Sequence, residues 1–200
     1  MLHILGLKDT RSAKNKNIHG DFLQQLHKTQ GGFYETRLPW KEDHVPLPDN
    51  KNLSVARLNS PIRKLKRMGK LEDYDRIMQE QMATGILEPV PPYQMGEVVH
   101  YISHQAVIRE QAETTKMRIV YDCSSRAKGF LNDCWEIGPP LQPLMFDIFL
   151  RNRMRKNCVT GDIQKAFLQV WVLEQDRDAQ RVLWYDNLTE RNIAEYHLRK

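Results

Sequence analysis

The chain has 200 residues, of which 40% are hydrophobic and 28% charged, with a net charge of +5 and a mean hydropathy of -0.62, the composition of a globular protein of one or at most two domains. No run approaches the roughly eighteen apolar residues of a membrane span, and residues 1–7 are too short and too quickly followed by charge for a secretory signal, so an intracellular protein is expected. Cys123, Cys134 and Cys158 are odd in number and widely spaced, which argues for reduced thiols rather than a disulfide framework.

Taken in order, residues 1–32 read as a poorly ordered or linker segment: up to about Gly20 the chain is polar and aperiodic, and a short helix over 21–29, capped by Asp21, is the one element expected there. Residues 33–38 alternate like a strand stopped by Pro39. A proline-bearing connector over 41–52 leads to 56–70, where Leu58, Ile62, Leu65 and Met68 recur at helical spacing and Pro61 restricts where the helix begins. Residues 71–84 form the clearest amphipathic helix, with acids in its first turn and Gly85 suited to the position after its end. Extended chain follows over 86–92, then short strands over 98–102, 106–109 and 117–121. Gly138-Pro139-Pro140 opens a helix over about 141–153, with Leu144, Met145, Ile148 and Phe149 directed inward. Residues 158–162, 171–173 and 179–185 read as strands. The order is α+β, with mostly antiparallel pairing implied by the short connections.

Residues 158–170 (CVTGDIQKAFLQV) carry the candidate chemistry. A β-branched run brings Asp162 to a strand end before a tight turn; Asp162 is either the cap of that turn or a metal-binding acid presented there. Arg118 alternates with apolar neighbours on a strand leading to an acidic turn. Carboxylate, guanidinium and an aromatic at Phe167 are the side chains that phosphoryl transfer from a nucleoside triphosphate requires. Residues 57–70 hold six basic side chains and no acid, and 151–156 hold four; each is either a solvated face or a phosphate-contacting surface. His100 and His104 with Cys123 or Cys134 lack zinc-finger spacing. Gly-rich phosphate loops, serine nucleophile elbows and Cys–His nucleophile patterns are absent from the sequence. Trp135, Trp171 and Trp184 read as core rather than as base-stacking platforms.

Residues 115–124 (TKMRIVYDCS), 131–133 with Gly138-Pro139, 161–170 (GDIQKAFLQV) and 181–184 (RVLW) resemble, in order, the reverse transcriptase of Bel/Pao-type LTR retrotransposons. Residues 34–41, 71–89 and 100–110 resemble the same polyproteins upstream. The resemblance implies a partial reverse transcriptase domain over 33–200, with right-hand fingers over about 56–157 and the first part of a palm over about 158–200. Asp162 is then the first catalytic aspartate, binding both of two Mg²⁺ ions, with the carbonyl of Ile163 completing one shell. Arg118 clamps the triphosphate, Lys116 is a second phosphate contact, and Ala166 and Phe167 line the nucleotide site, Phe167 as a steric gate against a ribose 2′-OH. Asp122 either orients the fingers strand or shapes the turn.

The implied reaction adds dNTPs to a DNA primer 3′-OH on an RNA template. The implied context is a polyprotein with protease, RNase H and integrase, without membrane, in the cytoplasm, a virus-like particle or the nucleus. One departure limits this: the family's Tyr-or-Phe-x-Asp-Asp turn supplies two further carboxylates, and no adjacent Asp-Asp pair occurs here. Tyr185-Asp186-Asn187 lies too close to Asp162 and lacks the second acid. A lone aspartate does not hold two cations about 4 Å apart against their repulsion, so the chain is expected to be inactive alone. Two alternatives stand beside it: a non-catalytic nucleic-acid-binding retroelement relic using the two basic patches, and a fragment that leaves its sheet edges unpaired and does not fold stably.

Overall fold

The computed structural model describes residues 10–93, 96–111, 116–123, 131–138, 142–161 and 168–199. The chain is α+β. Helix α1 (Thr10–Gln25) precedes strands β1 (His27–Lys28) and β2 (Tyr34–Thr36), and the consecutive helices α2 (Lys51–Arg67) and α3 (Leu71–Ala83) follow. Strand β3 (Leu87–Pro89), the hairpin β4 (Ser103–Ile108) and β5 (Met117–Asp122), and helix α4 (Met145–Arg153) come next. Strand β6 (Val170–Val172), a 3-10 segment (Glu174–Gln180), β7 (Arg181–Asn187) and β8 (Asn192–Leu198) complete it. The strands form three small sheets, ordered β1-β2-β6, β3-β8-β7 and β4-β5. Pairing is antiparallel throughout except where β6 runs parallel to β2.

The two central helices form because one face of each is apolar. Leu58, Ile62 and Leu65 on α2 and Tyr74 and Met78 on α3 are buried, the i, i+4, i+7 spacing of a core-facing stripe. Pro61 lies inside α2 rather than at its start: it lacks the N–H that would bond the Arg57 carbonyl, and the burial of Leu58 and Ile62 on either side keeps the helix continuous. Both helices end alike. Gly69 has φ +63° and Gly85 φ +67°. Gly69 N donates to Lys66 O at 3.1 Å and Lys70 N to Leu65 O at 2.9 Å; Gly85 N donates to Met82 O at 3.0 Å and Ile86 N to Gln81 O at 2.8 Å. Each is a Schellman cap, whose left-handed residue is glycine because no Cβ opposes it.

Met78, Leu87, Val182 and Trp184 are the centre of the core, each 1% exposed or less. Trp184 keeps its indole donor satisfied by Asp75 Oδ1 at 2.8 Å, as a buried Trp requires. The 3-10 segment then ties the sheets together through charge. Asp178 is fully buried, and it accepts from His197 Nε2 at 2.7 Å, Arg181 Nε at 2.9 Å and Gly96 N at 2.8 Å. Arg177 reaches Glu88 on β3 at 2.8 Å and Glu35 on β2 at 3.1 Å. Buried charges persist only when paired in this way.

Several sequence expectations change. Residues 10–25, read as aperiodic up to Gly20, are helical. The strand expected over 98–102 is reduced to a single parallel bridge between Tyr101 and Arg181, made by Arg181 N donating to His100 O at 2.9 Å and Ile102 N donating to Arg181 O at 2.7 Å; on the other edge Asn50 takes both polar groups of Tyr101: Nδ2 donates to its carbonyl and its N–H donates to Oδ1, each at 2.8 Å. Helix α4 starts at Met145 and buries none of its residues. Leu144, Met145 and Phe149, expected to point inward, are 71%, 64% and 58% exposed, since no described element packs on that face. Strand β8 carries no counterpart in the sequence reading.

Candidate nucleotide and nucleic-acid site

The β4–β5 hairpin presents Arg118 and Lys116, and its alternation decides how. His104, Ala106 and Ile108 stand opposite Tyr121, Ile119 and Met117, while Gln105 and Val107 stand opposite Val120 and Arg118. Of the first set, His104 is buried and Ala106, Met117, Ile119 and Tyr121 pack on the core. The second faces away, and Arg118 is exposed beside Val120, as is Lys116 at the start of β5. A period of two therefore aims the Arg118 guanidinium at solvent from a rigid strand.

The inner face holds the hairpin by polar contacts from α3. Tyr74 Oη lies 2.6 Å from His104 Nδ1, and His104 Nε2 lies 2.9 Å from the Leu183 carbonyl. A carbonyl only accepts, so Nε2 carries the proton and the Tyr74 hydroxyl donates to Nδ1. The Tyr121 hydroxyl donates to Gln81 Oε1. Burial pushes both tyrosine hydroxyls far above their ordinary range, so they remain protonated donors, and it lowers the pKa of His104. Burial, with the neighbouring Asp122 carboxylate, pushes the Cys123 thiol up to about 11. Cys123 is thus a thiol at neutral pH and neither a nucleophile nor a ready metal ligand.

A second cationic surface runs along α2. Lys64, Lys66 and Arg67 are exposed and make no ion pair among the described residues, and Arg63 Nε bonds only the Asn59 carbonyl of its own helix at 3.3 Å. Acids are absent from this stretch, so its positive field is uncompensated locally. The 151–156 patch is likewise exposed apart from half-buried Asn152.

Asp162, Ile163, Ala166 and Phe167 lie outside the described residues. The chain leading to them departs from expectation: residues 158–161, the described part of the strand expected over 158–162, are exposed and lie in no strand, with Val159 94% exposed. A strand needs a partner for its backbone groups, and none of the described strands lies beside this stretch. Among the described residues no group of three or more His, Cys, Asp or Glu stands close enough to hold a metal ion. Both ring nitrogens of His104 are already engaged. Asp122 sits opposite Ser103 at the end of the hairpin. Trp184 is core, while Trp171 stacks on Phe33 at 4.8 Å with the Arg199 guanidinium 3.9 Å over its ring.

The sequence reading missed the buried ionic cluster. Arg181 bridges Asp178 at 2.7 Å and Glu195 at 3.0 Å, and Glu195 also accepts from Lys51 and, at 2.7 Å, from the Tyr101 hydroxyl. Burial raises the Glu195 pKa, and the hydrogen bonds from Lys51 and Tyr101 outweigh it and hold the carboxyl below its ordinary value. The legible signal was Glu195 and His197 at alternate positions of an apolar segment, with Asp178 and Arg181 three apart. Among the described residues no helix is long and apolar enough to cross a membrane. No family model matches this chain, and neither a curated protein nor a solved structure matches it.

Proposed function

We propose that the chain is the fingers and the first part of the palm of an RNA-directed DNA polymerase of the Bel/Pao retrotransposon type. The observation that supports the reading is the exposure of Arg118 and Lys116 on one hairpin, open to a triphosphate, while Met117, Ile119 and Tyr121 pack on the core. Arg118 and Lys116 bind phosphate oxygens, Asp162 and the Ile163 carbonyl take Mg²⁺, and Ala166 and Phe167 meet the sugar. RNA template, DNA primer and dNTP are the partners. With one of the three carboxylates that two-metal chemistry uses, these 200 residues bind substrates without extending a primer.

The test is binding of a fluorescent dNTP, with and without Mg²⁺, to the purified chain. Arg118→Ala is expected to weaken it about tenfold, in the range of one charge-assisted phosphate contact, and Asp162→Asn to abolish the Mg²⁺ dependence. Binding indifferent to both changes overturns the reading.

Lys64, Lys66 and Arg67, exposed on α2 and without an ion pair among the described residues, favour a second reading, a non-catalytic nucleic-acid-binding relic. It predicts binding to an RNA–DNA hybrid that falls steeply with salt, weakens on Lys66→Glu and ignores Asp162→Asn. Salt-insensitive or absent hybrid binding removes it.

A further inference from the structure

Among the described residues strand β4 is paired on one edge only, since β4 and β5 form a two-stranded sheet. The identity of its free groups follows from one bond. Arg109 N donates to Lys116 O at 2.8 Å, and in the register of the hairpin those residues are directly opposite. In an antiparallel ladder, bonded and non-bonded pairs alternate, so Val107 and Gln105 bond β5 while Ile108, Ala106 and His104 turn their backbone N–H and C=O outward. That outward edge borders a groove of about 450 Å³, whose opposite wall is α2, with Arg57, Lys64 and Met68 facing it. Its volume falls in the range of about 300–1,000 Å³ of ligand clefts.

We infer that this groove takes an extended acidic segment of a partner protein, which adds to β4 as a third strand. Three observations select that occupant. The edge offers donors and acceptors alternately, at a repeat of about 6.8 Å over two residues, which another peptide backbone matches and a phosphate backbone does not: phosphates only accept, and the outward carbonyls of Ala106 and Ile108 repel them. A slot between a strand edge and a helix is the geometry of strand-addition peptide sites. The charge is complementary, because the basic side chains Arg57 and Lys64 line the helix wall and Lys64 makes no ion pair among the described residues. Among the described residues Asp122 is the one acid on the lining. An edge left open is otherwise prone to indiscriminate pairing, and a cationic wall restricts it to acidic strands. The inference stands apart from the polymerase reading, because it uses neither Arg118 nor Asp162.

The probe is a fluorescein-labelled peptide of eight alternating aspartates and valines, titrated into the full chain with anisotropy as the readout. Saturable binding is expected, weakened about tenfold by the exposed Lys64→Glu change and lost when every second amide of the peptide is N-methylated, which removes its donors to the edge. The lysine-for-aspartate peptide should not bind. The inference is overturned if the acidic peptide fails to saturate, if N-methylation leaves affinity unchanged, or if Lys64→Glu has no effect. It is also overturned if a uridine octamer displaces the peptide at equal concentration, which would assign the groove to phosphates.

Discussion

The Tyr74 hydroxyl donates to Nδ1 of His104 across 2.6 Å, tying helix α3 to strand β4 beneath the surface that carries Arg118. The bond fixes a charge state. With Nε2 donating to the Leu183 carbonyl, a second ring proton would place a positive charge on a buried imidazole, and burial lowers the pKa of His104 accordingly. The His100 pKa is lowered too, again by burial. Below the ordinary value of about 6.5 the unfolded chain takes up protons that the folded chain refuses. Stability is therefore complete above about pH 6.5 and falls as pH drops toward the lowered folded values. The urea midpoint should decline from pH 7.5 to pH 5, and His104→Gln should flatten part of that decline. A midpoint that holds or rises on acidification contradicts the assignment.

Asp178 tests the buried ionic cluster. It is wholly buried, and Asp178→Ala removes the acceptor of buried His197 and of the Gly96 amide and leaves Arg181 with Glu195 as its carboxylate partner. Removing one member of a buried charged set costs roughly 3–5 kcal/mol, comparable with the margin of a small domain. Thermal unfolding should show the loss, while Asp73→Ala, whose carboxylate pairs with Arg76 on the exposed face of α3, should cost about 0.5 kcal/mol or less. Equal effects at the two positions would make the cluster incidental.

What the sequence made legible were the elements whose partners lie close along the chain. Helix α3 with its Gly85 cap and the β4–β5 hairpin depend on local periodicity and turn chemistry: α3 and β5 formed within a residue of expectation, while β4 begins three residues earlier than the expected 106–109. The failures have one cause. Residues 98–102 and 158–162 have strand-like composition, yet whether a strand extends depends on what distant chain takes its hydrogen bonds: Asp178 and Arg181 bond His100 and Ile102, and the Asn50 side chain claims Tyr101. Strand β8 was overlooked because Glu195 and His197 look like solvent-facing residues until Arg181 and Asp178 are seen to meet them. Arg118 was legible as an exposed cation on a strand.

Two glycines should respond differently to the same change. A Cβ on Gly96 would stand 2.3 Å from the Gln175 carbonyl oxygen, whereas one on Gly85 meets nothing within 4 Å but inherits a φ of +67°. Gly96→Ala thus forces backbone apart and should cost about 1–3 kcal/mol, and Gly85→Ala about 1 kcal/mol of left-handed strain. Asparagine separates the two: Gly85→Asn should recover much of the loss, since Asn tolerates that conformation, and Gly96→Asn should recover none. Chemical denaturation of the four variants reads this out, and recovery at both positions would refute the steric account of Gly96.

Helix α4 provides the last prediction. Its sequence has the apolar spacing of a core helix, yet Phe146, Phe149 and Leu150 are 72%, 58% and 51% exposed. Burying a Phe and then truncating it costs about 3–5 kcal/mol, while an exposed substitution changes stability by about 0.5 kcal/mol or less. Phe149→Glu should accordingly leave the thermal midpoint of the monomeric chain almost unchanged, and Tyr74→Phe, which removes one buried donor, should cost about 1–3 kcal/mol in the same assay. The comparison turns on contact rather than composition, because both side chains are aromatic and both lie on helices. A loss above about 2 kcal/mol at Phe149, measured at a concentration where sedimentation shows a monomer, would mean that α4 packs against the chain in solution.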